Sequence, residues 1–338
     1  MAVQLYPVPV TDRELQAIVG QAFGRQRAPA TWVRLGGGQI NDTRLLTLAN
    51  GHRWVLRVAP SELTARAGPG WFTPYGLRRE RAVIEAASAL NQYLPVTVAH
   101  DFDHSVIDRD WVLQQVMPGV ALASIDDTLD PSARSAIWTE LGAFTRELHD
   151  TCSDRFGPPA WGATFARWTD QVRWDVASLI DDAARFGIPP APFERLSAAV
   201  ERLAPLLDEV TTPALIHSDL SRSHVFVNLG HDGGIRLAGV IDLEFGRFAD
   251  ALSEHLITGF EWGNAPIEMR SAFMGGYGKA ALSSEEDIRV GLYVAISLAW
   301  LVPLLAFQGQ PYDAVMIEMT QSLDTLDRLT TVSIRKEG

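Results

Sequence analysis

At 338 residues the chain can hold two domains of ~150 residues, or one fold in two lobes, and can bury a core without covalent staples. Apolar residues at 47 % and charged residues at 21 % exclude disorder as the main state, and a single cysteine, Cys152, excludes an intramolecular disulfide framework and a Cys-rich zinc site. The 41 acidic against 29 basic residues give a net charge of −12, which argues against a nucleic-acid partner and suits a cationic or neutral small molecule.

Met1 to Val10 lacks a basic region and an apolar core, so no secretion signal is expected, and the lone cysteine fits the reducing cytoplasm. Thr11-x-x-Glu14 is a capping box that opens a short helix running to Gly24. A strand over Thr31–Leu35 ends in Gly36-Gly37-Gly38, and two β-rich runs around Asn50-Gly51 predict a hairpin. Prolines and glycines make 68–76 a loop. A helix is predicted over Leu77–Tyr93, then strands at Pro95–Val98 and Trp111–Val116. Pro118-Gly119 breaks the chain there, which sets the expected lobe boundary: 1–117 and 118–338.

Beyond it the pattern is mostly helical. Asp130-Pro131 opens a helix to about His149. Further helices are predicted over 161–185, 190–208, 250–261, 266–278, 284–306 and 311–330, with Ser283-x-x-Glu286 as a second capping box. Val290–Phe307 carries no charged side chain, but Gly291, Ser297 and Pro303 inside it fit a buried helix better than a membrane span, and no membrane partner is expected. One hairpin interrupts the helices, His224–Leu229 with Ile235–Ile241.

That hairpin follows Leu215-Ile-His-Ser-Asp-Leu-Ser-Arg-Ser-His, so Asp219, His224 and Asp242 fall at one end of a small β unit. A carboxylate such as Asp219 can take a proton from a substrate hydroxyl. Asp242 with a neighbouring nitrogen ligand, His224, can hold Mg²⁺ on nucleotide phosphates. The glycine-rich turn can lay N–H groups over those phosphates, with Arg57 pointing at them and Glu80 holding the arginine. Taken singly, Asp219 reads as a loop cap and His224 as an ordinary strand-start histidine; the ordered set gives them chemistry. His217 reads as a structural residue and Asp250 as an N-cap. A Ser221/His217/Asp242 triad is conceivable, but no Gly-x-Ser-x-Gly elbow is present to expose the serine.

His217-x-Asp219-(four residues)-His224 with Ile241-Asp242 resembles the catalytic and metal motifs of the aminoglycoside phosphotransferase family. Gly37-Gly38-x-x-Asn41 resembles its nucleotide loop, Val55-Leu-Arg57-Val its third strand, Arg79-Glu80 its paired helix, and Trp111–Gly119 its hinge. Leu141–His149 is similar to the first helix of its large lobe. The resemblance implies an α+β, bilobal, protein-kinase-like fold with a small β-rich N-lobe and a large helical C-lobe.

It further implies an Mg²⁺-dependent transfer of the γ-phosphate of ATP or GTP to a hydroxyl of a small-molecule acceptor, an antibiotic, by a monomer or homodimer. Asp219 would be the catalytic base and His224 and Asp242 the metal ligands. Arg57, Glu80, Gln39, Asn41, Gln115 and Met117 would serve the nucleotide. Histidine at position 224, where the family usually has asparagine, is shared with 2″-aminoglycoside and macrolide phosphotransferases, several of which accept GTP. Arginine stands at 57 where protein kinases have lysine, as in many relatives. Alternatives are a metabolic kinase acting on a sugar, choline-like alcohol or amino acid, and an inactive pseudokinase. Trp161, Trp168, Trp174 and Trp262, with Asp170, Glu244, Glu254 and Glu261, are candidate acceptor contacts.

Overall fold

The computed structural model describes residues 7–24, 29–36, 38, 40–230, 234–258 and 267–337. Gln39 and Gly37 of the expected nucleotide loop, and Glu261 and Trp262, lie outside these residues.

The N-terminal part begins with α1 (Asp12–Phe23), capped by Thr11 in the predicted reciprocal box, with Gly24 at φ +84 ending it. Its buried face, Leu15, Ile18 and Val19, covers an antiparallel sheet of β1 (Pro29–Arg34), β2 (Asp42–Leu48), β3 (Arg53–Val58), β4 (Thr97–Asp101) and β5 (Trp111–Gln115), in the order β1-β2-β3-β5-β4. A small core of Leu46, Leu56, Trp111 and Leu113 lies between helix and sheet. The β2–β3 hairpin forms as expected; the Gly51 N–H donates to Leu48 O (2.9 Å) and Gly51 takes φ +82.

Between β3 and β4 run a one-turn α2 (Glu62–Ala65) and α3 (Gly76–Ala86). The single helix expected over 77–93 is divided: α3 stops at Ala86, and Ser88–Tyr93 continues as a 3₁₀ segment. The tighter 3₁₀ turn precedes the return of the chain to β4. The predicted loop 68–76 is a strap to the other half of the molecule. Its Gly70 N–H donates to the Asp182 carboxylate (2.8 and 2.9 Å), Trp71 stacks on Trp300 with centroids 5.2 Å apart, and Phe72 packs on Phe307.

Gly119, at φ +83, turns the chain into the helical half, where a Cβ would lie 2.2 Å from Val227 O. There β6 (Val120–Ala121) joins β8 (Val225–Leu229) and β9 (Ile235–Val240) in one sheet, and β7 (Ala214–Ile216) pairs with β10 (Arg247–Ala249) in another. The helices are α4 (Pro131–His149), α5 (Trp168–Arg185), α6 (Ala191–Asp208), α7 (His255–Thr258), α8 (Ile267–Tyr277), α9 (Ser284–Phe307) and α10 (Asp313–Glu337). Asp130 caps α4, with Pro131 in its first turn, as expected.

Two predicted helices are shorter. Residues 161–167 are not helical: Phe156 and Phe165 form an antiparallel bridge, and Trp161 sits at φ +59, so α5 starts only at Trp168. The 250–261 prediction resolves into a 3₁₀ turn at Ala251–Ser253 and the four-residue α7, with 259–261 outside the described residues. Among the described residues α9 alone is long and apolar enough to cross a membrane, and half of its apolar stretch is buried within the protein. Leu292, Ala295, Ala299 and Val302 on α9 join the large core with Trp138, Leu141, Phe193 and Leu196.

Candidate active site

The site lies where the two halves meet. From the sheet comes Arg57, whose register places it opposite Thr43 on one side and Val112 on the other. From α3 comes buried Glu80, which pairs with Arg57 through Oε2. Its other oxygen, Oε1, accepts from Gln114 Nε2 at 2.7 Å. Gln114 was not expected in the site, although strand parity announces it. Gln114 pairs with Val55 and so points to the same face as Arg57.

Asp242 follows β9 at φ +67, a left-handed conformation that aspartate tolerates better than bulky residues. That turn points its carboxylate at Arg57 (Nη2–Oδ1 2.6 Å) and at His224, whose Nε2 is 3.5 Å from Oδ2. Asp219 follows β7 by way of Ser218, a second non-glycine residue at positive φ (+68). Strain of this kind, twice within one site, is held by the surrounding framework. His217 supplies part of that framework: Nε2–H donates to Ile241 O (2.9 Å), and Nδ1 accepts from the Asp219 N–H (3.3 Å). With both ring nitrogens engaged, His217 is a structural residue and builds no triad. Ser221 Oγ instead pairs with Ser223 Oγ at 2.7 Å.

One ligand atom each from Asp219, His224 and Asp242 fits within 4.8 Å of the others. The fit to a cation follows from hydrogen bonding. His224 Nδ1 is 2.7 Å from the Asp219 carbonyl, which can only accept, so Nδ1 carries the proton. In the neutral form of the ring, Nε2 turns a lone pair toward the carboxylate of Asp242. Two acceptors facing each other at 3.5 Å are satisfied by a cation between them. One carboxylate and one imidazole would leave most positions of a six-coordinate cation to water and substrate phosphates, the arrangement usual where Mg²⁺ carries a nucleotide.

The charges support this. Glu80, Asp242 and Glu244 gather around the one guanidinium of Arg57, with Glu244 at 3.8 Å. Burial works against the charged arginine, but these carboxylates more than offset it and raise its pKa. Burial also pushes at Asp242, yet Arg57 and His224 hold it below its ordinary value. Glu244 is driven up to about 8 by burial and by Asp242. Asp219 is raised by burial, against the pull of His224 and His255, while its side chain keeps 36 % of its surface open.

Asn41 is buried and donates from Nδ2 to Glu244 Oε2 (2.8 Å), so it reaches the metal end of the site through Glu244. Glu244 was expected as an acceptor contact; it is buried beneath Asn41 and Arg57 and cannot serve as one. Gly76 gives it room, since a Cβ there would lie 2.5 Å from Glu244 Oε2. Gln115 is exposed, and its N–H donates to Val96 O (2.9 Å). Met117 Sδ packs where Gly239 lacks a side chain. Asp170 is held on the surface by Arg167 and Arg173, Trp168 is buried on Tyr293, and Trp174 is exposed. Asp250 caps Leu252 N–H and binds Arg289 and Tyr293, as its structural reading requires.

Glu254 is also withdrawn from any acceptor role. It is fully buried, and Oε2 accepts from the His217 N–H (2.7 Å) with His149 3.5 Å away. Burial raises its pKa, but His149 and His217 overcome this and bring it to about 2. Because the folded value lies below the free value of 4.5, this carboxylate stabilises the fold fully above pH 4.5. That contribution is lost as the pH falls from there to about 2. Glu254→Gln should therefore cost about 3 kcal/mol at pH 7 and remove this part of the acid sensitivity. Urea unfolding at pH 7 and pH 3 checks it; equal losses for both proteins between the two would contradict the assignment.

A sequence profile of the phosphotransferase enzyme family (APH) matches residues 31–288. No curated protein sequence matches the chain. Among solved structures, the chain is similar to a thermostable mutant of aminoglycoside phosphotransferase APH(4)-Ia in ternary complex with AMP-PNP and hygromycin B. The TM-score is 0.65 at 16 % identity, over 94 % of this chain and 98 % of that one. It is similar to the gentamicin complex of APH(2″)-IIa (TM-score 0.63, 15 % identity, 93 % and 96 % covered). It is similar also to a protein assigned as a fructosamine-3-kinase of Thermobifida fusca YX-ER1 (0.62, 17 %, 93 % and 99 %). At these identities the likeness establishes the bilobal kinase-like fold.

Proposed function

The chain belongs to the phosphotransferase enzyme family, a kinase-type transferase, and on that premise we propose that it moves the γ-phosphate of ATP or GTP to a hydroxyl of a small antibiotic. The carrying observation is the opposed pair His224 Nε2 and Asp242 Oδ2 beside the Arg57–Glu80 ion pair and Asp219. His224 and Asp242 would hold Mg²⁺, which supplies charge neutralisation on the phosphates. Arg57, kept in place by Glu80 and through it by Gln114, binds phosphate oxygens. Asp219 orients the acceptor hydroxyl and receives its proton. At the hinge the Gln115 N–H is already taken by Val96, so the base edge falls to the backbone near Met117. The nucleotide loop would add contacts from Gln39, and Asn41 would brace Glu244 beneath it. The enzyme would act in the cytoplasm, as a monomer or homodimer, on residues 1–117 for nucleotide and 118–338 for acceptor and metal.

The APH(4)-Ia and APH(2″)-IIa complexes hold hygromycin B and gentamicin, which supports an antibiotic acceptor. The fructosamine-3-kinase likeness favours a second reading, a metabolic kinase acting on a sugar-derived hydroxyl. Purified protein with Mg²⁺ and either ATP or GTP, tested on aminoglycosides, macrolides, nucleoside antibiotics and ketosamines, separates them. Phosphorylated antibiotic is expected, with GTP a competent donor. Turnover of ketosamines alone would establish the metabolic reading, and no product with any acceptor would favour a pseudokinase. A kcat/KM for GTP more than about 10²-fold below that for ATP, ~2.7 kcal/mol, would reject the GTP assignment alone.

A further inference from the structure

Two arginines flank the segment 243–246 that follows Asp242. Gly76 and Val83 of α3 lie against Glu244 and Gly246, and Arg79 stands between them on the same helical face. Its Nε–H donates to Trp161 O (2.9 Å). The neighbouring Arg78 and Arg81 pair with Asp110 and Glu85, but among the described residues no carboxylate pairs with Arg79. On the other side Arg247 follows Gly246. Its Nη1 pairs with Asp175 (2.7 Å), while its Nε is buried without a hydrogen-bond partner. Glu244, the acidic residue of the segment, accepts from Asn41 and faces Arg57. Burial lowers the pKa of Arg79; Glu244 opposes this and the like charge of Arg247 adds to it, so the two guanidinium groups feel each other.

The chain from Gly157 to Phe165 spans the two. Gly157 exchanges both backbone hydrogen bonds with Phe248, next to Arg247 (2.9 Å each). Trp161, at φ +59, gives its carbonyl to Arg79 and stacks its ring on Tyr75 with centroids 5.5 Å apart. The reach to the reacting centre is short. Arg247 pairs with Ile216 in the β7–β10 ladder, and Ile216 stands three residues before Asp219. Paired strands lie about 5 Å apart and three residues span at most about 11 Å, so a small molecule held at Asp219 can extend to Arg247. Nothing comparable receives a cation. Of the expected acidic acceptor contacts that the structure describes, Glu244 and Glu254 are buried and engaged, and Asp170 is held by Arg167 and Arg173.

We propose that Arg79 and Arg247 bind an oxyanion group of the acceptor, a carboxylate or a phosphate, while the acceptor's hydroxyl is held at Asp219. The proposal rests on the phosphotransfer reading with Asp219 as base, and it narrows the acceptor to a hydroxylated small acid. Carboxylate and phosphate both match the guanidinium fork with two parallel N–H···O bonds. The net charge of −12 over the whole chain favours cations at long range; a pair of guanidinium groups selects an anion at contact, where salt screens least. In the step, the hydroxyl oxygen bonds to the γ-phosphorus and its proton passes to Asp219. The bond from phosphorus to the β–γ bridging oxygen breaks, and the nucleoside diphosphate leaves with those electrons. The oxyanion group is unchanged.

The test uses the full chain and has two arms. In the first, inorganic phosphate and acetate are titrated separately into ¹⁵N-arginine-labelled protein holding Mg²⁺ and a non-hydrolysable ATP analogue, which fills the nucleotide's own phosphate positions. The Nε–H signals of Arg79 and Arg247, assigned with Arg79→Lys and Arg247→Lys, should shift saturably, and the tighter ion identifies the acceptor's group. Arg66, exposed and paired with Glu62, is the reference. Shifts no larger than its own with both ions would overturn the proposal. In the second arm, hydroxy acids and sugar phosphates are screened as acceptors beside their uncharged amide and alcohol analogues. Arg79→Gln leaves no carboxylate unpaired, and it should raise the KM of the anionic acceptor about 10- to 100-fold. The penalty should shrink with the uncharged analogue, and Arg79→Lys should recover part of it. A cationic or neutral acceptor whose KM is the same in Arg79→Gln would overturn the proposal and leave the phosphotransferase reading intact. Saturable anion binding with no product from any acceptor would instead overturn that reading and leave the anion site standing.

Discussion

Asp219→Asn is expected to lower kcat by about 10²-fold or more, the scale of a lost general base, while nucleotide affinity stays close to that of the native protein. The substitution keeps the size and shape of the side chain. It also keeps the backbone carbonyl that fixes His224 Nδ1 and the N–H that reaches His217, so the metal end of the site is unchanged. What disappears is an oxygen able to accept a proton from a hydroxyl. Burial holds the native carboxyl above its ordinary value, which moves it toward the range in which a base both stays ionised and accepts a proton well. Steady-state kinetics on the identified acceptor, with nucleotide binding by calorimetry, check both halves. Near-native turnover would show that Asp219 is not the base.

Asp242→Ala should reduce affinity for Mg²⁺-nucleotide by more than about 10²-fold and abolish turnover. It removes the carboxylate opposite His224 Nε2 and one of the three partners of Arg57. Arg57 retains Glu80, so the guanidinium stays in place and the fold persists. The sign of a control follows from charge. Without Mg²⁺ a nucleotide is strongly anionic, and deleting a carboxylate beside its phosphates removes repulsion. Affinity for metal-free nucleotide should therefore hold or rise in the variant. Calorimetry with and without Mg²⁺ measures the two, and an unchanged Mg²⁺-nucleotide affinity would remove Asp242 from the metal site.

Much of this arrangement is readable in the sequence because it rests on local chemistry. Thr11 with Glu14, Ser283 with Glu286, and Asp130 with Pro131 each satisfy helix-end N–H groups within one turn, and all three helices start where those residues say. The motif residues Asp219, His224 and Asp242 converge because one short hairpin joins them. Interactions between distant segments were not readable. Nothing near Ala87 announces a bend, and the non-helical run before Trp168 depends on a bridge between Phe156 and Phe165. Glu244 and Glu254 read as candidate acceptor contacts because their partners, Asn41, His149 and His217, lie 203, 105 and 37 residues away.

The strap at 68–76 makes the two halves energetically inseparable. Trp71 and Phe72 belong by chain position to the sheet-bearing half, yet they rest on Trp300 and Phe307 of α9, and Gly70 is bound to Asp182 of α5. Melting the sheet would strip this aromatic cover from the helical half and leave the Asp182 carboxylate without its donor. Each half thus carries part of the other's solvent shield, and the strap adds to the peptide link at 116–119 and to the pairs Arg57–Asp242 and Asn41–Glu244. Heat or denaturant then has no easy intermediate in which a helical remnant survives with the nucleotide-binding end lost. Such coupling turns two structural layers into one cooperative unfolding unit.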